Sequence, residues 1–236
     1  MYNIRAIAVF LFFLFSNVRL LSQVSDRVSV SQETQVLSHG SKSIFKCDIY
    51  YNKEKDAIVT HHYYPAEFVK ISNRFGEIKI YFPKSNTVSI HQDQLLSTTN
   101  EFLYYFVNNK VTDLGLSREG FKLISTSREE DMMITKWQGP TSLKAINEVK
   151  IVFKDMLPIY AEYLGIDGFI KKKIYYGKYS DFNTFSMPLR ITEVSFESKT
   201  DSTIRLSTFS NVRTIDFPDN SYFDFKIPDD AKISKQ

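Results

Sequence analysis

One cysteine, one tryptophan, four histidines and eight glycines in 236 residues leave few materials for most enzymatic chemistry. Cys47 alone can form no intramolecular disulfide and no thiolate cluster for zinc. Glycine-rich phosphate loops, nucleophile elbows and zinc-protease motifs are all absent from the sequence. Charge of one sign is also missing: 30 Lys and Arg face 27 Asp and Glu, and a net +3 points to no nucleic-acid partner. Apolar runs are short. The longest, Ala6 to Phe15, holds ten residues, against the roughly 20 that a spanning helix needs. It follows Arg5, is ended by Asn17 and Arg19, and precedes the small Ser22. That pattern reads as a secretory signal over residues 1–22, cleaved to leave one domain over 23–236 that is soluble in the periplasm and begins near Gln23. Losing Arg5 and Arg19 lowers the formal charge from +3 to +1. No cysteine stands behind the run to accept a lipid, and Cys47, alternating with Phe45 and Ile49, reads as a buried small hydrophobe.

Aromatics are plentiful: 20 Phe and 14 Tyr contribute to a 15% share. They favour strands and carry large apolar area, as a thick core or an apolar cavity would require. "GEIKIYFPKSNTVSI" (76–90) alternates, with Ile78, Ile80 and Phe82 on one side and Glu77, Lys79 and Tyr81 on the other. After Pro-Lys-Ser-Asn the pattern resumes with Val88 and Ile90. About a dozen such segments follow one another, among them "RVSVSQETQV", "SIFKCDIYY", "AIVTHHYY", "PIYAEYL", "TIRLSTFSNV" and "YFDFKI". Turn signals separate them, and no repeat of fixed period is present. One segment departs from this rhythm. "STTNEFLYYFVNNK" (97–110) has Thr98 and Glu101 spaced as a capping box, then Phe102, Leu103, Phe106 and Val107 as an apolar stripe. The expectation is a mainly β protein: one antiparallel sheet in meander order, with a helix lying on its greasy face.

The remaining candidates for chemistry are weak. His61 and His62 are neighbours on a strand and point to opposite faces, so they cannot share a metal ion without a bulge. Lys171 to Lys173 are too few for a polybasic patch, and Glu129, Glu130 and Asp131 sit at a hairpin tip, where charge is ordinary. Catalysis is disfavoured, and no cofactor or metal is expected.

The order of the segments carries more than any one of them. "GEIKIYFPKSNTV" is followed by a helix ending in "DLGL", then "TKWQGP", "PIYAEYLGIDGFI", "YYGKYSDFNTFSMPLRIT" and a close on "YFDFKIPDDAKI". This resembles the LolA type of periplasmic lipoprotein carrier, in the divergent form called outer-membrane lipoprotein-sorting proteins, over roughly Phe45 to Ile233. The resemblance implies an unclosed β-barrel, a single curved sheet with a helical lid over its concave face. It also implies an apolar cavity for acyl chains, an inner-membrane transporter that loads it and an outer-membrane acceptor that empties it. Two departures stand out. Val24 to His39 alternates like a strand where the carriers open with an amphipathic helix. The carriers also place a lid-holding arginine after Pro-x-x-Phe, where "PAEFVK" has Val69, with Lys70 one step on. A one-residue offset on a strand changes the face, so Lys70 is assigned no such role.

The expected cavity lining is Phe68, Ile78, Ile80, Phe82 and Ile90 from the first half, Phe102 and Phe106 from the helix, and Leu189, Ile191, Ile204 and Leu206 from the second half. Glu193, in step with Leu189 and Ile191, should mark the rim. Each buried CH₂ contributes about 0.8 kcal/mol, whereas one acyl chain binds a bilayer with only about 10⁴ M⁻¹. A shuttle must work between those limits. The expected protein is a monomer that binds lipid or lipoprotein acyl chains and no nucleic acid. The alternative is an envelope interaction or sensor module on the same fold.

Overall fold

The computed structural model describes residues 26–93, 97–98, 101–143, 145–214 and 221–234. The segment read as a signal, 1–22, lies outside them. Six strands come first: β1 (Arg27–Ser38), β2 (Ser41–Asn52), β3 (Ala57–Tyr64), β4 (Phe68–Asn73), β5 (Glu77–Phe82) and β6 (Thr87–Gln92). A short helix follows, α1 (Phe102–Val107). Seven more strands are β7 (Lys122–Glu129), β8 (Met132–Gln138), β9 (Glu148–Lys154), β10 (Leu157–Leu164), β11 (Ile170–Asp181), β12 (Ser186–Phe196) and β13 (Ser202–Arg213). A two-residue β14 (Lys232–Ile233) ends the described chain.

All fourteen form one sheet, in the order β14-β6-β5-β4-β3-β2-β1-β13-β12-β11-β10-β9-β8-β7. It is two meanders laid back to back and joined where β1 pairs with β13. Every pairing is antiparallel except β14 with β6. The sheet curves but does not close, and β7 forms one edge with all eight residues exposed.

Residues paired across a ladder share a face, so the registers sort the side chains. Val28 pairs with Tyr51 and Val30 with Ile49, Gln32 with Phe209, and Ile191 with Tyr176. This is the concave face, and α1 lies on it. Leu103 to Val107 are all buried, Phe106 to 1% exposure, among Val28, Tyr51, Met187 and Phe209. The helix is shorter than the sequence suggests because the capping box does not form. The Thr98 hydroxyl donates to the Asp56 carbonyl at 2.9 Å, and the Glu101 carboxylate is drawn away to Lys70. At the other end Asn109 takes a left-handed conformation and stops the helix. The chain then turns through Gly115, at φ +89°, where a β-carbon would collide with the Tyr105 ring. It goes on to seat Leu116 and Phe121 against Trp137, Val149, Ile151 and Phe153.

The convex face has its own cover. Val59, Val69 and Tyr81 pack with Tyr50 and Ile71 under Tyr222, Phe225 and Ile227. The sequence expectation of a strand at "YFDFKI" fails here: residues Ser221–Asp224 form a 3₁₀ turn. At three residues per turn, Tyr222 and Phe225 fall on the same side. Their rings stack at 5.6 Å, and Tyr222 also stacks on Tyr50 at 5.2 Å. Asp224 anchors the turn through Arg27 at 2.9 Å and Lys55 at 2.5 Å.

Candidate functional site: a lidded groove on the concave face

Two adjoining cavities open between α1 and the sheet. The first, about 370 Å³, is lined by Phe102 and Phe106 from the helix and by Val30, Tyr176, Ile191 and Phe209 from the floor. The second, about 650 Å³, continues along β1 to β4 past Phe45, Thr60, His62, Tyr64 and Phe68. Gln32, Ile49, Glu101 and Arg205 line both, so the two form one groove of the size usual for small-molecule sites. Aromatic contacts fix its walls: Phe102 stacks on Phe209 at 4.9 Å, and His62 stacks on Phe68 at 4.1 Å.

Between its apolar ends the floor is polar. Gln32 Nε2 donates to Thr34 Oγ1 at 2.8 Å, and the Thr34 and Ser207 hydroxyls are bonded to each other at 3.1 Å. Burial pushes the Cys47 thiol up to about 12, so it stays protonated and inert. Burial, with Lys70 adding to it, lowers His62 to about 4 and keeps its ring neutral at neutral pH. One ion pair ties the lid to the floor: Lys70 Nζ to Glu101 Oε1, at 2.6 Å. Lys70 pairs with Ile80 in the ladder and therefore faces the lid, while Val69 faces the other way. The offset that argued against Lys70 from sequence is what brings its ammonium to α1.

The residues expected to line the site divide into three groups. Phe68, Phe102, Phe106 and Ile191 line the groove. Leu189 packs beside them against the helix core. Ile78, Ile80 and Phe82 lie on the same face by register but outside the two cavities, Ile78 buried at 4% and Phe82 exposed at 39%. The third group is on the wrong face. Ile90 pairs with Lys79, because the turn at Pro83–Ser85 sets Phe82 opposite Thr87 and brings Ser89 and His91 into step with Ile80 and Ile78. Ile204 and Leu206 pair with Val194 and Thr192 on the convex side. It is Arg205, Ser207 and Phe209 of β13 that turn inward. These three were missed because two are polar, which made the outward apolar pair look like the buried one. Glu193 does mark an edge of the groove, beside Ile191 and ion-paired to Lys172 at 3.7 Å.

His61 and His62 separate as alternation requires: His61 meets Glu67 at 3.3 Å and stacks on Tyr222, while His62 faces the groove. Among the described residues no group of three or more His, Cys, Asp or Glu could hold a metal. Nor is any described helix long and apolar enough to cross a membrane.

No protein-family model and no curated protein matches the chain. Solved structures do. A LolA superfamily protein from Nitrosomonas europaea superposes with a TM-score of 0.54 at 12% identity, over 84% of this chain and 90% of the other. The fold is LolA-like. A domain from Vibrio parahaemolyticus assigned to outer membrane lipoprotein sorting gives a TM-score of 0.56 at 12% identity, over 83% of this chain and 88% of that one. A DUF1329 family protein from Desulfovibrio piger gives 0.56 at 12% identity, over 85% and 90%. At such identity the likeness establishes the LolA-like architecture, an open curved sheet with a helical lid, and nothing about cargo.

Proposed function

We propose that this protein is a periplasmic acyl-chain carrier, exported by residues 1–22 and delivering lipid or lipoprotein cargo toward the outer membrane. One observation carries the reading: the lid does not fill the space beneath it. Phe102, half-buried, is packed against the sheet on one side and lines an open groove on the other, with Phe106 buried beside it at the cavity wall. An ordinary two-layer core would have closed that space, since interiors pack to near-crystal density. Cargo would enter through the end framed by Phe45, Tyr64 and Phe68, where Phe45 and Tyr64 are exposed at 41% and 51%. An inner-membrane transporter would supply the cargo and an outer-membrane acceptor would take it. Binding and release are the whole of the activity in this reading, with no bond made or broken.

Native mass spectrometry of protein recovered from the cell envelope tests it. The expected species starts near Gln23 and carries co-purifying lipid. A clean monomer that also takes up no fluorescent acyl probe would reject the carrier reading. A second reading, an interaction or sensor module, has one observation in its favour: β7 is an exposed sheet edge with Leu123 and Ile124 about half uncovered. Such an edge can accept a partner strand.

A further inference from the structure

The floor of the groove contains a cation that the carrier reading does not use. Arg205 sits on β13 opposite Val36 of β1 and Glu193 of β12, and it lines both cavities where they meet. The neighbouring charges are already engaged: Glu193 with Lys172, and Glu101 with Lys70. Among the described residues the Arg205 side chain makes no hydrogen bond or ion pair. Its placement runs against the usual pattern, since β13 turns Ile204 and Leu206 to the convex side and this guanidinium into the groove. Arg205 is exposed to water where the two cavities meet, and hydrocarbon alone laid over it there would displace that water and give nothing in return.

We propose that the groove takes a long-chain fatty acid, its carboxylate held by Arg205 and its chain lying along the β13 floor beneath α1. This rests on the carrier reading and names the class of its cargo. A guanidinium presents two parallel N–H donors that match the two oxygens of a carboxylate, and a carboxylate carries the single charge that one arginine balances. From Arg205 the inward positions of β13 run through Ser207 to Phe209, which stacks on Phe102. Along this stretch the polar contacts lie at the Arg205 end and the rings at the Phe209 end, as an amphiphile requires, while the rings about Phe68 lie on the other side of Arg205. An uncharged chain would find the same rings but leave Arg205 unpaired.

The test compares cis-parinaric acid with its methyl ester by fluorescence titration at neutral pH, in the wild type and in Arg205→Gln and Arg205→Lys. The wild type should bind the acid about tenfold more tightly than the ester, which corresponds to ~1.4 kcal/mol. Arg205→Gln should abolish that preference while leaving ester affinity within about twofold, and Arg205→Lys should keep part of it. Circular dichroism on each variant checks that the fold is kept, and the wild-type preference needs no variant at all. Equal affinity for acid and ester in the wild type, or a preference that survives Arg205→Gln, would overturn the proposal and leave the carrier reading standing. Failure of both probes to bind would remove the carrier reading and this inference together.

Discussion

The two faces of the sheet are both covered, and they are covered differently. On the convex side, rings of the C-terminal segment stack directly on the strands: Tyr222 on Tyr50 at 5.2 Å and on His61 at 4.6 Å. Tyr81 is buried to 7% beneath Phe225. On the concave side α1 contributes rings of the same kind, yet they stand beside about 370 Å³ of cavity at one end and lead to a further 650 Å³. Apolar residues of similar size thus give a filled core on one face and a groove on the other. Composition does not distinguish them. What does is reach: the tail runs flat against β2 to β6, whereas six residues of helix span a curved face that they cannot fill.

The largest expected effects test that contrast directly. Tyr81→Ala should lower stability by about 3–5 kcal/mol, the usual range for emptying a packed aromatic site. Acyl-probe affinity of the folded fraction should not change. Phe106→Ala should lose less, about 2–3 kcal/mol, because the ring, though itself 1% exposed, adjoins the cavity and its neighbours can settle into the space it leaves. Probe binding should fall more than stability does. Denaturant midpoints and probe titrations on the two variants give four numbers. Equal destabilisation, with no change in probe binding by Phe106→Ala, would mean that the two covers are alike.

Much of this was legible in the sequence. Thirteen of the strands could be placed from alternation and turns, and α1 from its break in rhythm. The unreadable parts share a cause: period-2 alternation fixes which residues go together but not which set faces in. At β5–β6 the turn alone decides that Ser89 and His91, not Ile90, join Ile80 and Ile78. At β13 an inward-facing Arg205 and Ser207 reversed the usual sign of the pattern. Lys70 and Glu101 lie 31 residues apart, and only the fold shows that their charges meet.

A smaller effect should separate the lid from the core beneath it. Lys70→Met keeps the apolar stem and removes the charge that holds Glu101. Both side chains are partly exposed, at 27% and 34%, so the loss of stability should be no more than about 1 kcal/mol. The kinetics should respond more: probe dissociation, followed by stopped-flow displacement, should accelerate several-fold if α1 must lift for cargo to leave. The equivalent loss on the convex side, Lys55→Met at Asp224, should affect stability to a similar degree and probe kinetics not at all. An unchanged dissociation rate in Lys70→Met would show that the pair is decorative.

The smallest expected effect lies in the pH dependence, and His62 carries it. Burial is the main cause of its lowered pKa of about 4, and the positive charge of Lys70 adds to it while Glu101 opposes it. In the unfolded chain the ring titrates near 6.5. Protonation therefore favours the unfolded state: the stability owed to a neutral His62 is fully present above about pH 6.5 and is lost as pH falls through about 4. The ring is only partly buried beside Phe68, so the loss should stay below about 1 kcal/mol. A charged His62 would also stand close to Lys70 and push against the cation that holds the lid. Carboxylates as a class also change charge over this window, so the useful quantity is a difference. The gap between denaturant midpoints at pH 7 and about pH 4.5 should be smaller in His62→Gln than in the wild type, and His61→Gln, on the convex face, should serve as the control. If the two variants narrow the gap equally, the effect belongs to the sheet as a whole and not to the groove.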